Sequence, residues 1–181
     1  GLDLLVGAVG IASARLAGLK LCVIGRWDRA YINGITSRLS TPIPTIEFAG
    51  NLSDLSRYVR QISGAALYVH VGRGDAFPIS VLEAMCAGVP SIVSEWTGTR
   101  EAVEHVDPGL VVPCDAESAA EKVHWYFSLS PEARRALSAR CREVAAQYSE
   151  ERAVESFVSS YRQVLGYFGL PDLPQRLSGR C

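Results

Sequence analysis

Apolar and polar residues follow a regular order along the chain, in which short apolar runs are separated by longer stretches of helical spacing. The runs have the length of strands, and the stretches between them repeat apolar residues every three or four positions. Strands that alternate with helices predict an α/β fold with a doubly wound parallel sheet. The predicted strands cover residues 19–24, 46–48, 65–71, 91–94 and 110–113. The predicted helices cover 1–18, 29–39, 54–63, 78–86, a segment ending near 104, 116–129, 131–148 and 149–167, and the segment 40–45 is predicted as a loop.

The predicted helix after the third strand contains an acidic residue among apolar ones. Pro78 is expected at the first helical position, where its missing N–H is no loss, and Gly88 just past the end. A carboxylate among apolar neighbours is costly to bury alone, so the acid must be paired or must face a ligand. Four residues have the spacing of a core-facing stripe: Ile79, Leu82, Glu83 and Cys86.

A second acid, Asp75, lies eight positions earlier, in the loop before this helix. The two carboxylates therefore bracket a helix N-terminus, which is a natural site for anions. A ligand with phosphates and hydroxyls suits this arrangement, with phosphates at the backbone amides near Phe77, Ile79 and Ser80 and hydroxyls at the acids. The alternative is structural: Asp75 caps the helix, and Glu83 pairs with a cation such as Arg73 or Arg100.

Composition and charge narrow the classes of function. The chain has 181 residues, which is typical of one domain, and 48% of them are apolar and 20% charged. With a net charge of −1 and no run of Lys or Arg, charge does not suggest nucleic acid or anionic membrane as a partner. The five cysteines and three histidines show no zinc spacing, so no metal site is expected. Cys22 and Cys86 are predicted to be buried, which favours a reducing, cytoplasmic setting.

The run D-A-F-P-I-S-V-L-E-A-M-C-A-G-V-P-S-I-V, followed by W-T-G-T-R-E-A-V, resembles a known family. It is similar to the donor-binding core of retaining glycosyltransferases with the GT-B fold, the large family 4 group, whose pattern is E-G-F-G/P-x-x-x-x-E-A-M-A-x-G-x-P-V-I. Two positions depart from it: Asp75 replaces a glutamate one methylene longer, and Ala76 replaces a glycine. The residues in register are Phe77, Glu83, Ala84, Met85, Gly88, Pro90, Gly98 and Glu101.

The resemblance implies roles for particular residues. Asp75 would be catalytic and hold a hydroxyl of the donor sugar, and Glu83 would accept hydrogen bonds from the ribose. The helix start would face the diphosphate, and the backbone after the second strand would meet the base. The other donor-binding residues expected from the resemblance and from the strand-end loops are Ala76, Phe77, Pro78, Ile79, Ser80, Gly25, Arg26, Gly50, Asn51, Leu52, Arg73, Gly98 and Glu101. From the residues alone, Gly25 fits a plain turn at least as well as a ligand contact, and Arg26 could contact phosphate or be merely solvated.

The same resemblance implies a larger protein around this chain. Residues 1–148 would form a Rossmann-like domain that binds a nucleoside-diphosphate sugar as donor substrate, with no cofactor and no metal. The start inside a loop suggests the C-terminal domain of a two-domain transferase, inactive alone, whose partner is an N-terminal acceptor domain that would also make any membrane contact. The helix over 149–168 has apolar residues at core spacing and is expected to cross to that domain, and the tail 169–181 is expected to fray.

Two other functions stay open from the sequence. A nucleotide-sugar epimerase of the same fold would share the domain, although the acidic pattern fits transferases better. A non-enzymatic nucleotide-binding module of Rossmann type is the third reading, and it lacks both G-x-G-x-x-G and G-x-x-x-x-G-K-[ST].

Overall fold

Within the described residues, five parallel strands alternate with helices, and eight α-helices are present in all, as the sequence predicts. The computed structural model describes residues 1–39 and 45–171, so most of the predicted 40–45 loop and of the predicted frayed tail lies outside the described residues. The third and fifth strands are short, because only three and two residues of their predicted runs enter a ladder. The strands are β1 (Lys20–Ile24), β2 (Thr45–Gly50), β3 (Tyr68–His70), β4 (Ser91–Ser94) and β5 (Val111–Val112).

The strands form two parallel sheets among the described residues. In the first, β1 pairs with β2, and Lys20 lies opposite Thr45. In the second the order is β3-β4-β5, with Tyr68 opposite Ser91 and Val93 opposite Val111. The α/β parallel architecture is therefore confirmed, with the hydrogen bonding divided between two sheets instead of running through a single one.

The helices begin where polar side chains cap them. Asp28, Asp54, Asp115 and Ser149 each accept a hydrogen bond from a first-turn amide, which satisfies donors that a helix start leaves unpaired. The helices are α1 (Leu2–Ser13), α2 (Arg29–Thr36), α3 (Leu55–Ser63), α4 (Ile79–Cys86), α5 (Arg100–Val106), α6 (Ala116–Ser128), α7 (Pro131–Ala145) and α8 (Glu150–Tyr167), with 3-10 turns at Pro108–Leu110 and Ala146–Tyr148.

The main core surrounds β4, whose four residues are all buried. Helix α1 packs against α6, and α7 packs against α4 and α5. Met85, Ile92 and Leu110 are fully buried in this cluster. Because the central strand is enclosed, the loops that leave the carboxyl ends of β3, β4 and β5 start from a rigid base.

The predicted core face of α4 is wrong. Ile79 is 65% exposed, and Glu83 and Cys86 are exposed as well, so only Leu82 of the predicted stripe is buried. The buried face consists of Val81, Leu82, Ala84 and Met85. Most positions of this helix are apolar, so the apolar spacing is compatible with either of two buried faces. Packing against α7, β3 and β4 selects the face that does not contain the acid. The predicted burial of Cys86 fails for the same reason, and Cys22 is only half-buried.

Helix α3 has Leu55, Tyr58, Val59 and Ile62 at the spacing that predicts a core face, but this face is only partly buried. Leu55 is 72% exposed and Val59 is 51% exposed, whereas Ile62 is buried. Tyr58 is half-buried, and its hydroxyl donates a hydrogen bond to Glu83 on α4.

The chain divides into two compact units, Gly1–Ala145 and the segment from Ala146 onward. Helix α8, in the second unit, has no buried residue, and Phe157 stacks on Tyr161 with ring centroids 6.2 Å apart. Contact of this helix with another domain stays a prediction. Among the described residues, none of the helices combines the length and apolarity that a membrane crossing requires.

Two glycines in open surroundings separate the effect of backbone conformation from that of packing. A Cβ added at Gly34, inside α2, or at Gly18, after α1, would meet no atom within 4 Å, but Gly18 has φ +77°. We expect Gly34→Ala to raise the free energy of unfolding by about 0.5–1 kcal/mol, because alanine favours the helix. Gly18→Ala should instead lower it by about 1 kcal/mol, because an L side chain is strained there. Urea denaturation of both variants checks this, and equal shifts of one sign would contradict it.

Candidate functional site

Three strand-end loops are held at one carbonyl group. The oxygen of Gly72, after β3, accepts hydrogen bonds from Ser94 Oγ at 2.5 Å and from Cys114 Sγ at 3.4 Å. Ser94 ends β4 and is fully buried, and its hydroxyl also lies 3.0 Å from Thr97 Oγ1. Since Cys114 follows β5, this one carbonyl ties together the carboxyl ends of all three strands of the second sheet.

A second backbone contact fixes the loop that carries Asp75. The amide of Gly98 donates to the carbonyl of Asp75 at 2.8 Å, and Asp75 and Thr97 form a parallel bridge. A Cβ at Gly98 would lie 1.6 Å from the carbonyl oxygen of Ala76, so only glycine allows this approach. The structure thus brings together Asp75, Ala76 and Gly98, which the sequence analysis selected separately.

The Asp75 side chain lies beside a histidine. Asp75 Oδ2 is 3.3 Å from Nε2 of His70, the last residue of β3, and 43% of the Asp75 side chain is exposed. Burial lowers the pKa of His70, and the neighbouring carboxylate opposes that shift. The carboxylate is therefore accessible to a ligand while one of its oxygens faces the imidazole. The sequence analysis assigned His70 no role at this site.

Glu83 is held by a tyrosine and not by a cation. The hydroxyl of Tyr58, on α3, donates a short hydrogen bond to Glu83 Oε2. Burial raises the pKa of Tyr58, and the hydrogen bond to Glu83 raises it further. The cations proposed as structural partners are engaged elsewhere, since Arg73 pairs with Asp3 and Arg100 donates to the carbonyl of Glu95 at 3.1 Å. Sequence reasoning missed Tyr58, although an aromatic with a polar tip on the neighbouring helix is a signal for such a contact.

The start of α4 lies between the two acids in the chain. Pro78 is buried and occupies the N-cap position, one residue before the predicted one, so Asp75 does not cap this helix. Because Pro78 has no N–H and the amide of Val81 bonds to the Pro78 carbonyl, the first-turn amides left for an anion are those of Ile79 and Ser80. The hydroxyl of Tyr68 donates to Ser80 Oγ at 2.9 Å.

Apolar side chains border these polar groups. Phe77 is 47% exposed, and Trp96, in the loop after β4, is 64% exposed. Together with the exposed Ile79 they give the site an apolar margin. The described residues contain no group of three or more His, Cys, Asp or Glu side chains arranged to hold a metal ion.

The remaining predicted residues lie at strand ends or helix starts. The amide of Gly25, after β1, donates to the carbonyl of Gly50 at 2.9 Å, and both glycines have positive φ, +125° and +69°. This contact joins the loops that carry Arg26 and Asn51, both exposed, and Leu52, half-buried. Glu101 is exposed in the first turn of α5.

Arg73 makes a bidentate contact with the first helix. Its Nη1 and Nη2 atoms donate to the two carboxylate oxygens of Asp3 at 2.9 and 2.7 Å. This pair ties the Gly72–Asp75 loop to α1, and it holds the pKa of Asp3 well below its usual range, chiefly through the hydrogen bonds. The structure therefore gives Arg73 a partner that the sequence analysis did not anticipate.

Comparison with known proteins identifies the chain. The family model described as Glycosyl transferases group 1 matches residues 1–128. The chain belongs to the glycosyl transferases group 1 family.

Individual relatives agree with this assignment. The GDP-mannose-dependent alpha-mannosyltransferase of Mycolicibacterium smegmatis is 27% identical over 129 residues, which are 71% of this chain and 34% of that protein. The chain spans between 6% and 34% of the lengths of the first curated relatives it matches.

Solved structures of glycosyltransferases show the same fold. Sucrose-phosphate synthase from Thermosynechococcus elongatus superposes with a TM-score of 0.72 at 26% identity, covering 92% of this chain and 43% of that one. HepE of Anabaena, solved in complex with UDP and glucose, superposes with a TM-score of 0.69 at 17% identity, covering 89% and 44%. The parallel α/β architecture of this glycosyl transferases group 1 chain is thus the Rossmann-like one of GT-B glycosyltransferases.

The Arg73–Asp3 pair predicts a pH-dependent contribution to stability. The folded state lowers the pKa of Asp3, so the pair stabilises above the unfolded value of about 3.9 and loses its effect as the pH falls through the folded value. Asp3→Asn should lower the free energy of unfolding by about 0.5–1 kcal/mol at pH 7, since both side chains are partly exposed to solvent. The difference should shrink below about pH 4 and in high salt.

Urea unfolding at several pH values measures this difference. The matched control is Glu132→Gln, which removes an exposed pair with Arg135 within α7 and should change stability by a few tenths of a kcal/mol at most. A loss for Asp3→Asn that does not vary with pH or salt would mean that the charge pair is not its source.

The close approach of Gly98 to Ala76 predicts that the loop tolerates no side chain there. Gly98→Ala should cost about 1–3 kcal/mol, the range found for overpacking, because the methyl group collides with a backbone oxygen. Urea denaturation measures the loss, and hydrogen exchange should show faster exchange of the Gly98 amide. Gly34→Ala is the control for a glycine-to-alanine change in open space. A Gly98→Ala variant as stable as the wild type would contradict the contact.

Proposed function

We propose that this chain is the nucleotide-sugar donor-binding, C-terminal domain of a retaining, metal-independent glycosyltransferase of family 4. The observation that carries the proposal is the pair of accessible carboxylates around the start of α4, each with a neutral protein partner. Asp75 lies beside His70, and Glu83 accepts from Tyr58. Acids held in this way keep their negative charge and acceptor capacity for a ligand instead of being neutralised by a cation.

Glu83 is proposed to bind the ribose. Its carboxylate is on the exposed face of α4, and Tyr58 takes one of the positions around Oε2. An ionised carboxylate has about four acceptor positions, so the remaining ones can accept from two vicinal hydroxyls. The base would lie toward the loops after β1 and β2, near Gly25, Gly50, Asn51 and Leu52, with Arg26 nearby.

Asp75 is proposed to be the catalytic residue, and its carboxylate would accept a hydrogen bond from a hydroxyl of the donor sugar. The diphosphate would meet the amides of Ile79 and Ser80, where the helix dipole favours negative charge. These fixed donors stabilise the charge that develops on the leaving group as the sugar–phosphate bond breaks. Ala76, Phe77, Pro78, Gly98 and Glu101 would line the same space, and Arg73, paired with Asp3, would position the loop.

The donor class follows from the relatives. The mycobacterial relative is named as dependent on GDP-mannose, and HepE was solved with UDP and glucose. We propose that the donor of this chain belongs to the same class, the nucleoside-diphosphate hexoses. In this proposal an N-terminal domain outside the chain binds the acceptor and packs on the exposed apolar residues of α8, so the chain alone binds donor weakly and transfers nothing.

Two substitutions distinguish the proposed roles. In the full-length protein, Glu83→Gln should weaken binding of UDP or GDP about tenfold or more, because hydrogen bonds to a charged group are lost. Asp75→Asn should leave that binding within about twofold, because the free nucleotide has no sugar, but should lower the rate of donor consumption by about a hundredfold. Calorimetry with UDP and GDP, and release of nucleotide from UDP-glucose and GDP-mannose, measure the two effects.

The control is Glu104→Gln, which removes an exposed acid of α5 and should change neither readout. Equal losses for Glu83→Gln and Asp75→Asn in both assays would rule out the division of roles. Absence of binding by the wild type to all four probes would count against the donor class itself.

A further inference from the structure

We propose that His70 is the positioning residue for Asp75, orienting its carboxylate so that one oxygen is left to accept a hydroxyl of the donor sugar. This inference rests on the proposed function, because it assigns the sugar contact to Asp75. The histidine is the last residue of β3, and its Nε2 atom lies 3.3 Å from Asp75 Oδ2. The end of β3 therefore lies directly beside the Asp75 carboxylate.

This nitrogen of the imidazole faces the Asp75 carboxylate. Nε2 is shielded from solvent and, within the described residues, makes no hydrogen bond of good geometry, while Oδ2 of Asp75 lies 3.3 Å away. A shielded polar atom without a hydrogen bond is costly, which favours closure of the 3.3 Å contact into a bond. Such contacts in ligand-free sites are often long and tighten when substrate binds.

The backbone of Asp75 is already fixed, so the histidine acts on the side chain. The Gly98 amide and the bridge to Thr97 hold the main chain of Asp75. The remaining freedom is rotation of the carboxylate. A neutral imidazole that donates from Nε2 to Oδ2 restrains this rotation and leaves Oδ1 as the acceptor for the ligand. Burial keeps His70 in its neutral form near pH 7, which suits a donor that does not neutralise the acid.

Gly72 keeps the space between the two side chains open. A Cβ at Gly72 would lie 3.2 Å from His70 Nε2 and 3.9 Å from Asp75 Cβ, so a methyl group there would press on the imidazole. The φ of Gly72 is not in the positive region, so alanine is compatible with its backbone. The Gly72→Ala variant therefore perturbs the contact without straining the loop conformation.

The contact is tested first without any ligand. The pKa of His70, followed by NMR of the imidazole in the chain, should fall in Asp75→Asn, because the carboxylate that favours the charged imidazole is gone. Gly72→Ala should shift the His70 resonances, whereas those of His105, on α5, should not move. An unchanged His70 pKa in Asp75→Asn would overturn the proposal whatever the protein binds.

The role in turnover is tested in the full-length protein with UDP-glucose and GDP-mannose. His70→Leu should lower kcat for nucleotide release roughly ten- to hundredfold, the range for a misplaced reacting group, with affinity for UDP and GDP within about twofold of wild type. His70→Gln, which keeps a donor, should recover part of the loss. The loss in a double variant with Asp75→Asn should be less than the product of the single losses, since both act through one carboxylate.

His105→Gln is the matched control and should keep the wild-type kcat. A purely structural role predicts instead that His70→Leu lowers stability and nucleotide affinity together, with no recovery by glutamine. A wild-type kcat in His70→Leu would overturn the proposal and leave the proposed function intact. If the wild type turns over neither donor, the proposed function fails and the positioning role fails with it, while the NMR titration still decides whether the contact forms.

Discussion

The hydrogen bonds at the carbonyl of Gly72 are the constraint on which the candidate site depends. Ser94 and Cys114 converge on this one oxygen from the ends of β4 and β5, and Gly98 fixes the next loop position through Asp75. Ser94 is fully buried beside Thr97, so the anchor is enclosed in the core and protected from competition by water. Because the contact uses main-chain atoms and small side chains, the loop conformation does not depend on the larger residues that face a ligand.

The electrostatics of the site follow from which partners each acid has. Arg73 is engaged with Asp3 at the edge of the loop, while Asp75 and Glu83 contact a neutral imidazole and a phenol. A nearby guanidinium would stabilise the charged form of an acid and also satisfy it, and a satisfied acid binds hydroxyls poorly. The arrangement places the cation in a structural ion pair and leaves the two acids without a cationic partner within the described part of the chain.

The sequence predicted the five strands, the order of helices and several caps, because these depend on local patterns. Leu19–Ile24 and Ser91–Ser94 are short apolar runs, and Asp54, Asp115 and Ser130 precede helices as expected. The buried face of α4 was wrong because almost all of its residues are apolar, so period alone cannot choose between two faces. The contacts of Tyr58 with Glu83, 25 positions apart, and of Arg73 with Asp3, 70 positions apart, depend on tertiary packing that a single sequence does not encode in any local pattern. The division of the strands into two sheets is likewise a matter of long-range pairing.

The exposed apolar margin of the site has a consequence for how such a domain diversifies. Phe77, Ile79 and Trp96 lie around anchored polar groups but bury little surface in the core. Exchanging them costs little folding free energy, because the loops are held elsewhere. Selection can therefore change the size and shape of this margin while the acids and their backbone supports stay in place. The residues that can change freely are thus distinct from those that hold the loops, although both groups lie at the carboxyl ends of the same strands.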